Sequence, residues 1–360
     1  MSLSQPKRIL IIKLRHHGDV LLSTPVVDAL KTRFPDCEID MLVYAGTEQL
    51  IADNPQIAQI FTIDRNWKKL GVFKQLACEK NLLSKLKARD YDWAFNLSDQ
   101  WRAAIIAKLC ARCSVGLDCI KRDGFWWRFC HDFINHELDP SHHIVENQLN
   151  ILAPLIQPED MADAKVRLWV AQDARESMRQ KLRAQGWSGE DYVLMHPGAR
   201  WHFKCWEDGK NAAIVQLLLN SGQNVVSTAS PDTVEQYMLQ EIIGRLNIPE
   251  GGKIWVLSGC LSLRELAAAI EGAKLFIGVD SAPMHIAAAL DKPQIALFGA
   301  SWVNKWRPYS EQAEVIYAGY YAELPHPDSI DTNDPTRLLK AIPLQDVWDK
   351  ISAKLEALEA

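Results

Sequence analysis

The sequence lacks the features that define several protein classes. It has no run that approaches ~18 consecutive apolar residues, the length that a membrane-spanning helix requires, and it begins with polar residues. No Gly-x-Gly-x-x-Gly or Walker phosphate loop follows the first predicted strand of either half, so motifs support neither dinucleotide binding nor ATP hydrolysis. We therefore expect a cytoplasmic protein that is not a nicotinamide-dependent oxidoreductase.

The sequence also lacks an excess of positive charge. Its 40 Lys and Arg residues against 45 Asp and Glu residues give a net charge of −5. This balance argues against a nucleic acid partner held by bulk electrostatics, so an anionic ligand must meet a local basic patch. The hydrophobic fraction of 48% and the charged fraction of 24% are those of a globular chain, which excludes disordered, collagen-like and coiled-coil classes.

Paired Cys-x-x-Cys motifs, which many zinc sites use, are absent. The eight Cys residues are scattered along the chain, which fits a reducing compartment better than a disulfide framework. The densest group is Cys110, Cys113, Cys119 and Cys130, followed by His131, and a zinc site at this group is one interpretation. Because a second Cys-x-x-Cys pair is missing, burial of these side chains as small hydrophobic residues is the favoured one.

What the sequence does contain is two series of alternating strands and helices. Its 360 residues exceed the ~250–300 at which a single core stops growing, so two domains are expected. Strands are predicted near residues 8–13, 39–44, 60–63, 93–97 and 114–117, and again near 192–195, 224–228, 253–257, 274–279 and 294–298. This rhythm predicts an α/β fold with two Rossmann-like domains, residues 1–165 and 166–342, that face a central cleft. An amphipathic terminal helix over 343–358 is expected to pack back on the first domain.

The first candidate site follows the first predicted strand, where α/β sheets bind ligands. Gly18 would let the backbone approach a ligand closely, and His16 and His17 lie beside the carboxylate of Asp19. At a helix start, Asp19 could simply be the N-cap residue. The alternative is a general base, which the neighbouring His residues could tune.

The second half repeats this pattern after its own first strand. Gly198 permits a tight turn with exposed backbone donors, while Arg200 and Lys204 supply the positive charge that a phosphate requires. Lys204 could equally be a solvated surface residue. The candidate phosphate-binding residues of this loop are therefore Gly198, Arg200 and Lys204.

Two further strand ends in the second half carry polar residues. Asp280 and Ser281 stand where a strand enters a helix, so one of them could cap that helix, and the free N–H groups there could hold a phosphate. Glu235 follows another strand end, where an acidic residue could accept hydrogen bonds from a ribose, although a plain surface Glu is the simpler interpretation.

These motifs resemble a known family, the ADP-heptose:lipopolysaccharide heptosyltransferases of the Gram-negative inner core. The resemblance spans nearly the whole chain and is strongest to the branch that adds the third, side-chain heptose. It is carried by the opening strand through Lys13, the Gly18-Asp19-Val20-Leu21 turn with Thr24-Pro25, the His196-Pro197-Gly198-Ala199 loop with Lys204 and Trp206, and Gly278-Val279-Asp280-Ser281 with His285.

The resemblance implies a GT-B fold and an inverting transfer from ADP-L-glycero-β-D-manno-heptose that needs no cofactor and no obligatory metal ion. The acceptor implied is a heptose hydroxyl of the lipopolysaccharide inner core, with the third heptose added on heptose II at the cytoplasmic face of the inner membrane. Another core heptose or Kdo acceptor, another nucleotide sugar, and a non-catalytic sugar-nucleotide binding protein are the alternatives.

The resemblance also implies roles for individual residues. Asp19 would be the general base, Lys204 would neutralise charge on the departing ADP, and Asp280 would hold heptose hydroxyls. The other residues implied to contact the donor are the backbone near Ser281 and Ala282, Glu235 at the ribose, Leu261 beside adenine, and His196, Gly198, Ala199, Arg200 and His285.

Acceptor recognition is predicted from cations near aromatic residues. A phosphorylated glycolipid at a membrane would need both, and the segment 121–129 offers them, although a partly buried aromatic cluster is the favoured interpretation there. The count of thirteen Trp residues is consistent with either. The candidate acceptor-binding residues are Arg15, His17, Lys121, Arg122 and Arg128.

Overall fold

The computed structural model describes residues 5–118, 124–135, 139 and 141–359. The chain divides into two compact units, Met1–Trp169 and Val170–Ala360. The boundary predicted from the sequence, after residue 165, lies just before this division. Within the described residues, no helix is long and apolar enough to cross a membrane.

The first unit is built on one six-stranded parallel sheet. Its strands are β1 (Arg8–Lys13), β2 (Glu38–Tyr44), β3 (Gln59–Ile63), β4 (Tyr91–Asn96), β5 (Ala111–Leu117) and β6 (Phe133–Asn135). They lie in the order β3-β2-β1-β4-β5-β6. The apolar run of β1 is fully buried from Ile9 to Ile12, because a parallel strand in the centre of a sheet has no solvated face.

Helices of the first unit flank this sheet. They are α1 (His17–Leu21), α2 (Thr24–Arg33), α3 (Val72–Lys87), α4 (Trp101–Cys110), α5 (Phe125–Phe129) and α6 (Ile144–Leu149). Short 3₁₀ helices cover Thr47–Leu50, Arg65–Lys69, Asn150–Leu152 and Pro158–Asp160. α3 begins after Gly71, whose φ of 79° lies in the left-handed region that favours glycine.

The second unit repeats the architecture with a second six-stranded parallel sheet. Its strands are β7 (Val193–His196), β8 (Val225–Ala229), β9 (Ile254–Ser258), β10 (Leu275–Val279), β11 (Gln294–Phe298) and β12 (Ala313–Tyr317). Their order is β12-β11-β10-β7-β8-β9, which is the order of the first sheet read from its other edge. Each sheet therefore has one switch point, between β1 and β4 and between β7 and β10, where the direction of the crossovers reverses.

The helices of the second unit include the C-terminal helix. They are α7 (Gln172–Arg183), α8 (Asp208–Asn220), α9 (Thr233–Ile243), α10 (Leu263–Gly272), α11 (Ala282–Ala289), α12 (Val303–Trp306) and α13 (Leu344–Glu359), with 3₁₀ helices at His202–Lys204, Ala318–Tyr320, Pro327–Ser329 and Leu338–Ala341.

The position of α13 corrects one expectation. The sequence predicted that this helix packs back on the first domain, but Val347, Ile351 and Leu355 are buried in the core of the second unit. These three side chains recur at one-turn spacing and face α8. The sequence correctly predicted an amphipathic helix here, but it did not predict which unit the apolar side of this helix contacts.

Candidate active site

The chain segments that leave β1 and β4 meet at the switch point of the first sheet. The buried Lys13 Nζ donates to the Leu97 carbonyl at 3.2 Å, and the backbone N–H of Leu14 donates to Ser98 Oγ at 2.7 Å. Gln100 Nε2 donates back to the Leu14 carbonyl at 2.8 Å. These bonds fix the start of the loop that carries Asp19.

Asp19 lies in the first turn of α1 and is partly exposed. The N-cap position belongs to His16, and no side chain makes a capping hydrogen bond there. The N-cap interpretation of Asp19 is therefore wrong. Within the described residues, no side chain donates a hydrogen bond to its carboxylate, which leaves both oxygens available to an incoming hydroxyl group.

Two of the predicted acceptor residues lie in the same loop. Arg15 pairs with Asp99 at 2.8 Å, and its carbonyl accepts a hydrogen bond from Arg65 at 3.2 Å. Burial lowers the pKa of His17, and the positive charges of His16 and Arg65 lower it further, so the imidazole is held neutral.

The other predicted acceptor residues lie in a separate part of the first unit. Arg128 is exposed on α5. Lys121 and Arg122 lie outside the described residues. Among the aromatic residues of α5, Trp127 is buried, while Phe125, Trp126 and Phe129 are exposed, so the favoured interpretation of a buried cluster is correct for Trp127 alone.

Lys204 and Asp280 form an ion pair at the switch point of the second sheet. Lys204 Nζ lies 2.6 Å from Asp280 Oδ2 and 5.2 Å from the ring centroid of Trp201. The Lys204 side chain is 17% exposed and that of Asp280 is 6% exposed, so Lys204 is not a solvated surface residue. Together they combine one positive and one negative charge at the ends of β7 and β10.

The N-terminus of α11 lies directly after Asp280. Ser281 is its N-cap residue, but the Ser281 hydroxyl donates to the Val279 carbonyl at 3.3 Å and makes no capping bond. Pro283 has no N–H group, and within the described residues the N–H groups of Ser281 and Ala282 have no acceptor. Two backbone donors at a positive helix end are thus available to an anion.

A buried pair lies beneath the loop that follows β7. His196 Nδ1 is 2.8 Å from Thr228 Oγ1, and its Nε2 is 3.7 Å from Glu235 Oε2. Burial lowers the pKa of His196 to about 4 and raises the pKa of Glu235. The backbone N–H of Ser230 donates to the same Glu235 oxygen at 3.2 Å. Glu235 is therefore not a plain surface residue, and its contact with a ribose stays a prediction.

Gly198 packs directly against the side chain of Glu235. A Cβ atom at position 198 would lie 2.6 Å from Glu235 Oε2 and 3.0 Å from its carboxyl carbon. We expect Gly198→Ala to destabilise the protein by about 1–3 kcal/mol through overpacking and to raise the KM for the nucleotide donor. The thermal midpoint and donor KM test this.

A matched control for Gly198→Ala exists in the same unit. Gly209 lies in α8, where an added Cβ would meet only Arg245 at 3.8 Å. Gly209→Ala should leave the thermal midpoint unchanged or raise it, because Ala has a better helix propensity than Gly. Equal effects of the two substitutions would contradict the packing argument.

The remaining predicted donor residues differ in exposure. Ala199 is buried, whereas Arg200 is exposed with its guanidinium carbon 5.9 Å from the Trp201 ring centroid. Leu261 is half-buried in the loop after β9. His285 is buried in α11, so the structure does not present it on the same surface as Arg200.

The burial of the described members of the cysteine group agrees with the favoured interpretation of them as small hydrophobic residues. Cys110, Cys113 and Cys130 are buried, and burial raises the pKa of Cys110 and Cys113 to about 11, so these thiols stay protonated. Among the described residues, no cluster of three metal-ligating side chains occurs. Cys119 lies outside the described residues.

Comparison with known proteins identifies the chain. The sequence profile of glycosyltransferase family 9 (heptosyltransferase) matches residues 80–335. The chain belongs to glycosyltransferase family 9. One relative of this family 9 enzyme, lipopolysaccharide heptosyltransferase 3 of Escherichia coli strain K12, is 37% identical over 339 residues, which cover 93% of this chain and 94% of the relative.

Solved structures show that the family 9 enzyme has a GT-B fold. A family 9 glycosyl transferase from Veillonella parvula superposes with a TM-score of 0.83 at 20% identity and 99% coverage of both chains. The ADP-heptose lipopolysaccharide heptosyltransferase II of E. coli superposes with a TM-score of 0.77 at 22% identity, covering 98% of this chain and all of that one. The predicted family and fold are both confirmed.

Sequence reasoning did not reveal several contacts of this candidate site. The pairing of Lys204 with Asp280 joins positions 76 residues apart, and no local pattern reveals it. Trp201 beside Lys204 and the buried Lys13 were also not predicted as site residues. The one available signal was topological, because loops that leave the first and fourth strands of such a sheet converge at its switch point.

Proposed function

We propose that this glycosyltransferase moves L-glycero-D-manno-heptose from ADP-heptose to a heptose hydroxyl of the lipopolysaccharide inner core, and that it adds the third, branch heptose on heptose II. The observation that carries the proposal is the 37% identity, over 93% of the chain, to a protein named lipopolysaccharide heptosyltransferase 3. The identity to the solved heptosyltransferase II is only 22%.

On the acceptor side, we propose that Asp19 is the general base of an inverting displacement. Its partly exposed carboxylate, which no described side chain bonds, would accept the proton of the acceptor hydroxyl as that oxygen attacks the anomeric carbon. Arg15 and the neutral His17 lie in the same loop and would orient the acceptor, whereas Lys121, Arg122 and Arg128 would bind its anionic groups.

On the donor side, the leaving ADP gains negative charge as the glycosidic bond breaks. We propose that Lys204 and the N–H groups of Ser281 and Ala282 stabilise this charge, because a cation and oriented backbone donors need no reorganisation during the reaction. Asp280 would accept hydrogen bonds from heptose hydroxyls. Glu235 and Leu261 would border the ribose and the adenine.

The proposed acceptor is a glycolipid, and this bears on where the enzyme works. We propose that it acts at the cytoplasmic face of the inner membrane as a peripherally associated protein. Support comes from the acceptor's lipid anchor and from basic and aromatic residues in the first unit.

One experiment tests the proposed reaction directly. The purified enzyme is incubated with ADP-heptose and with lipopolysaccharide cores truncated at successive heptoses, and the products are weighed by mass spectrometry. We expect one added heptose on cores that carry heptose II and lack the branch. Addition only to a core without heptose II would refute the branch assignment, and no addition to any core would refute heptosyl transfer.

A further inference from the structure

The first unit exposes an unusual amount of apolar surface on three helices. We call this the α3–α5 surface and define it by Phe73 and Leu76 of α3, Ile105 and Leu109 of α4, and Trp126 and Phe129 of α5. Phe73 is 89% exposed and Trp126 is 67% exposed. Single exposed apolar residues are ordinary, but a group on neighbouring helices marks an interaction site.

Contacts between the helices make the α3–α5 surface continuous. Glu79 of α3 forms an ion pair with Arg102 of α4, and the rings of Trp101 on α4 and Trp127 on α5 meet edge to face at 5.5 Å. The three helices therefore lie side by side. Ala103 and Ala107, on the opposite side of α4, are buried in the core, so Ile105 and Leu109 face outward one turn apart.

Positive charge borders this surface. Residues 65–88 contain seven Lys and Arg residues and a single acidic residue, Glu79, in a chain whose net charge is −5. Within the described residues, Lys68, Lys69, Lys74 and Lys80 form no ion pair, and Glu79 is already paired with Arg102. The local charge is therefore uncompensated, and it complements an anionic partner.

We propose that the α3–α5 surface docks on an anionic phospholipid bilayer. Exposed aromatic and aliphatic side chains bordered by lysines are what an interfacial membrane contact requires, since the apolar groups enter the headgroup boundary while the cations meet lipid phosphates. The inference rests on the proposed function in one respect: a lipid-anchored acceptor is the reason why the enzyme would need to bind a membrane.

The same charges disfavour a second copy of the chain as the occupant. A two-fold dimer presses identical patches together, so this surface would bring the segment 65–88 of one copy close to that of the other. The unpaired lysines of the two copies, Lys68, Lys69, Lys74 and Lys80, would then lie close together with few acids between them. An anionic bilayer removes this repulsion, and each lysine near its surface contributes about five-fold to partitioning.

The test uses the purified full chain and flotation with vesicles that contain no lipopolysaccharide. We expect binding to phosphatidylcholine vesicles that contain phosphatidylglycerol and little binding to pure phosphatidylcholine. Phe73→Ser with Leu76→Ser should lower the partition coefficient about ten-fold or more, because both side chains leave the lipid boundary. Lys68→Glu with Lys74→Glu should weaken binding to a similar extent and reduce its salt dependence.

A matched control excludes a general effect of removing exposed apolar groups. Tyr320 of the second unit is 82% exposed, and Tyr320→Ser should leave vesicle binding unchanged. All substituted side chains are exposed, so the thermal midpoints of the variants should stay close to that of the unsubstituted protein. If Phe73→Ser with Leu76→Ser lowers the midpoint, the milder pair Phe73→Tyr with Leu76→Thr replaces it in the binding assay.

Three results would overturn the docking proposal. The first is an unsubstituted enzyme that does not bind anionic vesicles although it transfers heptose to a delipidated core oligosaccharide. The second is a concentration-dependent dimer that Phe73→Ser with Leu76→Ser abolishes, and the third is loss of transfer to the delipidated acceptor in that variant. Vesicle binding without transfer to any acceptor would instead refute the proposed function and leave the docking surface intact.

Discussion

Replacing Asp19 with Asn should lower the turnover of heptosyl transfer by about 10²–10⁴-fold, which is the usual contribution of a general base. The amide keeps the size and shape of the side chain but cannot accept the acceptor's proton. Because Asp19 lies in the first unit, at the end of β1, the binding of ADP should change little. Steady-state turnover and calorimetric ADP affinity check the two parts.

Asp36 offers a control for this substitution. It is an exposed acidic residue that precedes β2 and so lies at the opposite edge of the same sheet from Asp19. Asp36→Asn should leave turnover unchanged. If Asp19→Asn retained near-normal transfer to a purified acceptor, the base assignment would have to be abandoned.

Replacing Lys204 with Ala should lower kcat/KM by about 10²–10³-fold, because the positive charge that is proposed to stabilise the departing diphosphate is lost. The affinity for ADP should fall as well, since the ground-state diphosphate is also anionic. Kinetics with varied ADP-heptose, together with the dissociation constant of ADP, measure both effects. Unchanged kinetics would reject the role of Lys204.

A second variant separates catalysis from stability. Lys204→Ala leaves the carboxylate of Asp280, which is 6% exposed, without its cation, and an unpaired buried charge destabilises a protein. Adding Asp280→Asn removes that charge, so the double variant should regain thermal stability. If the double variant also regained normal kcat/KM, the effect of Lys204→Ala would be structural.

The strand ends of this protein could be predicted from its sequence because buried parallel strands are nearly continuous apolar runs. The runs at β1 and β7 are of this kind, and the polar residues after them had to emerge at the carboxyl edge of each sheet. Asp19, Lys204 and Asp280 became candidate site residues in this way. The residues next to them in the sequence became candidates as well, because residues that are adjacent in one loop also lie close together in space.

Long-range relations could not be predicted in the same way. The partner that covers α13 is chosen by the shape of a whole core, and its apolar stripe alone fits more than one surface. Glu235 packs against Gly198, a residue far away in sequence, so closely that a Cβ atom at position 198 would force one of them to shift. The exposure of Trp126 beside the buried Trp127 depends on which side of a short helix faces α4.

The repeated strand order has a consequence for how such enzymes diversify. Each unit has its own complete sheet and its own buried core, so a change in one core need not disturb the packing of the other. If Asp19 of the first unit serves the acceptor and Lys204 and Asp280 of the second unit serve the donor, as proposed, selection on the choice of acceptor could proceed without loss of the donor. Under the proposed division of roles, the duplicated architecture would let the two specificities change separately.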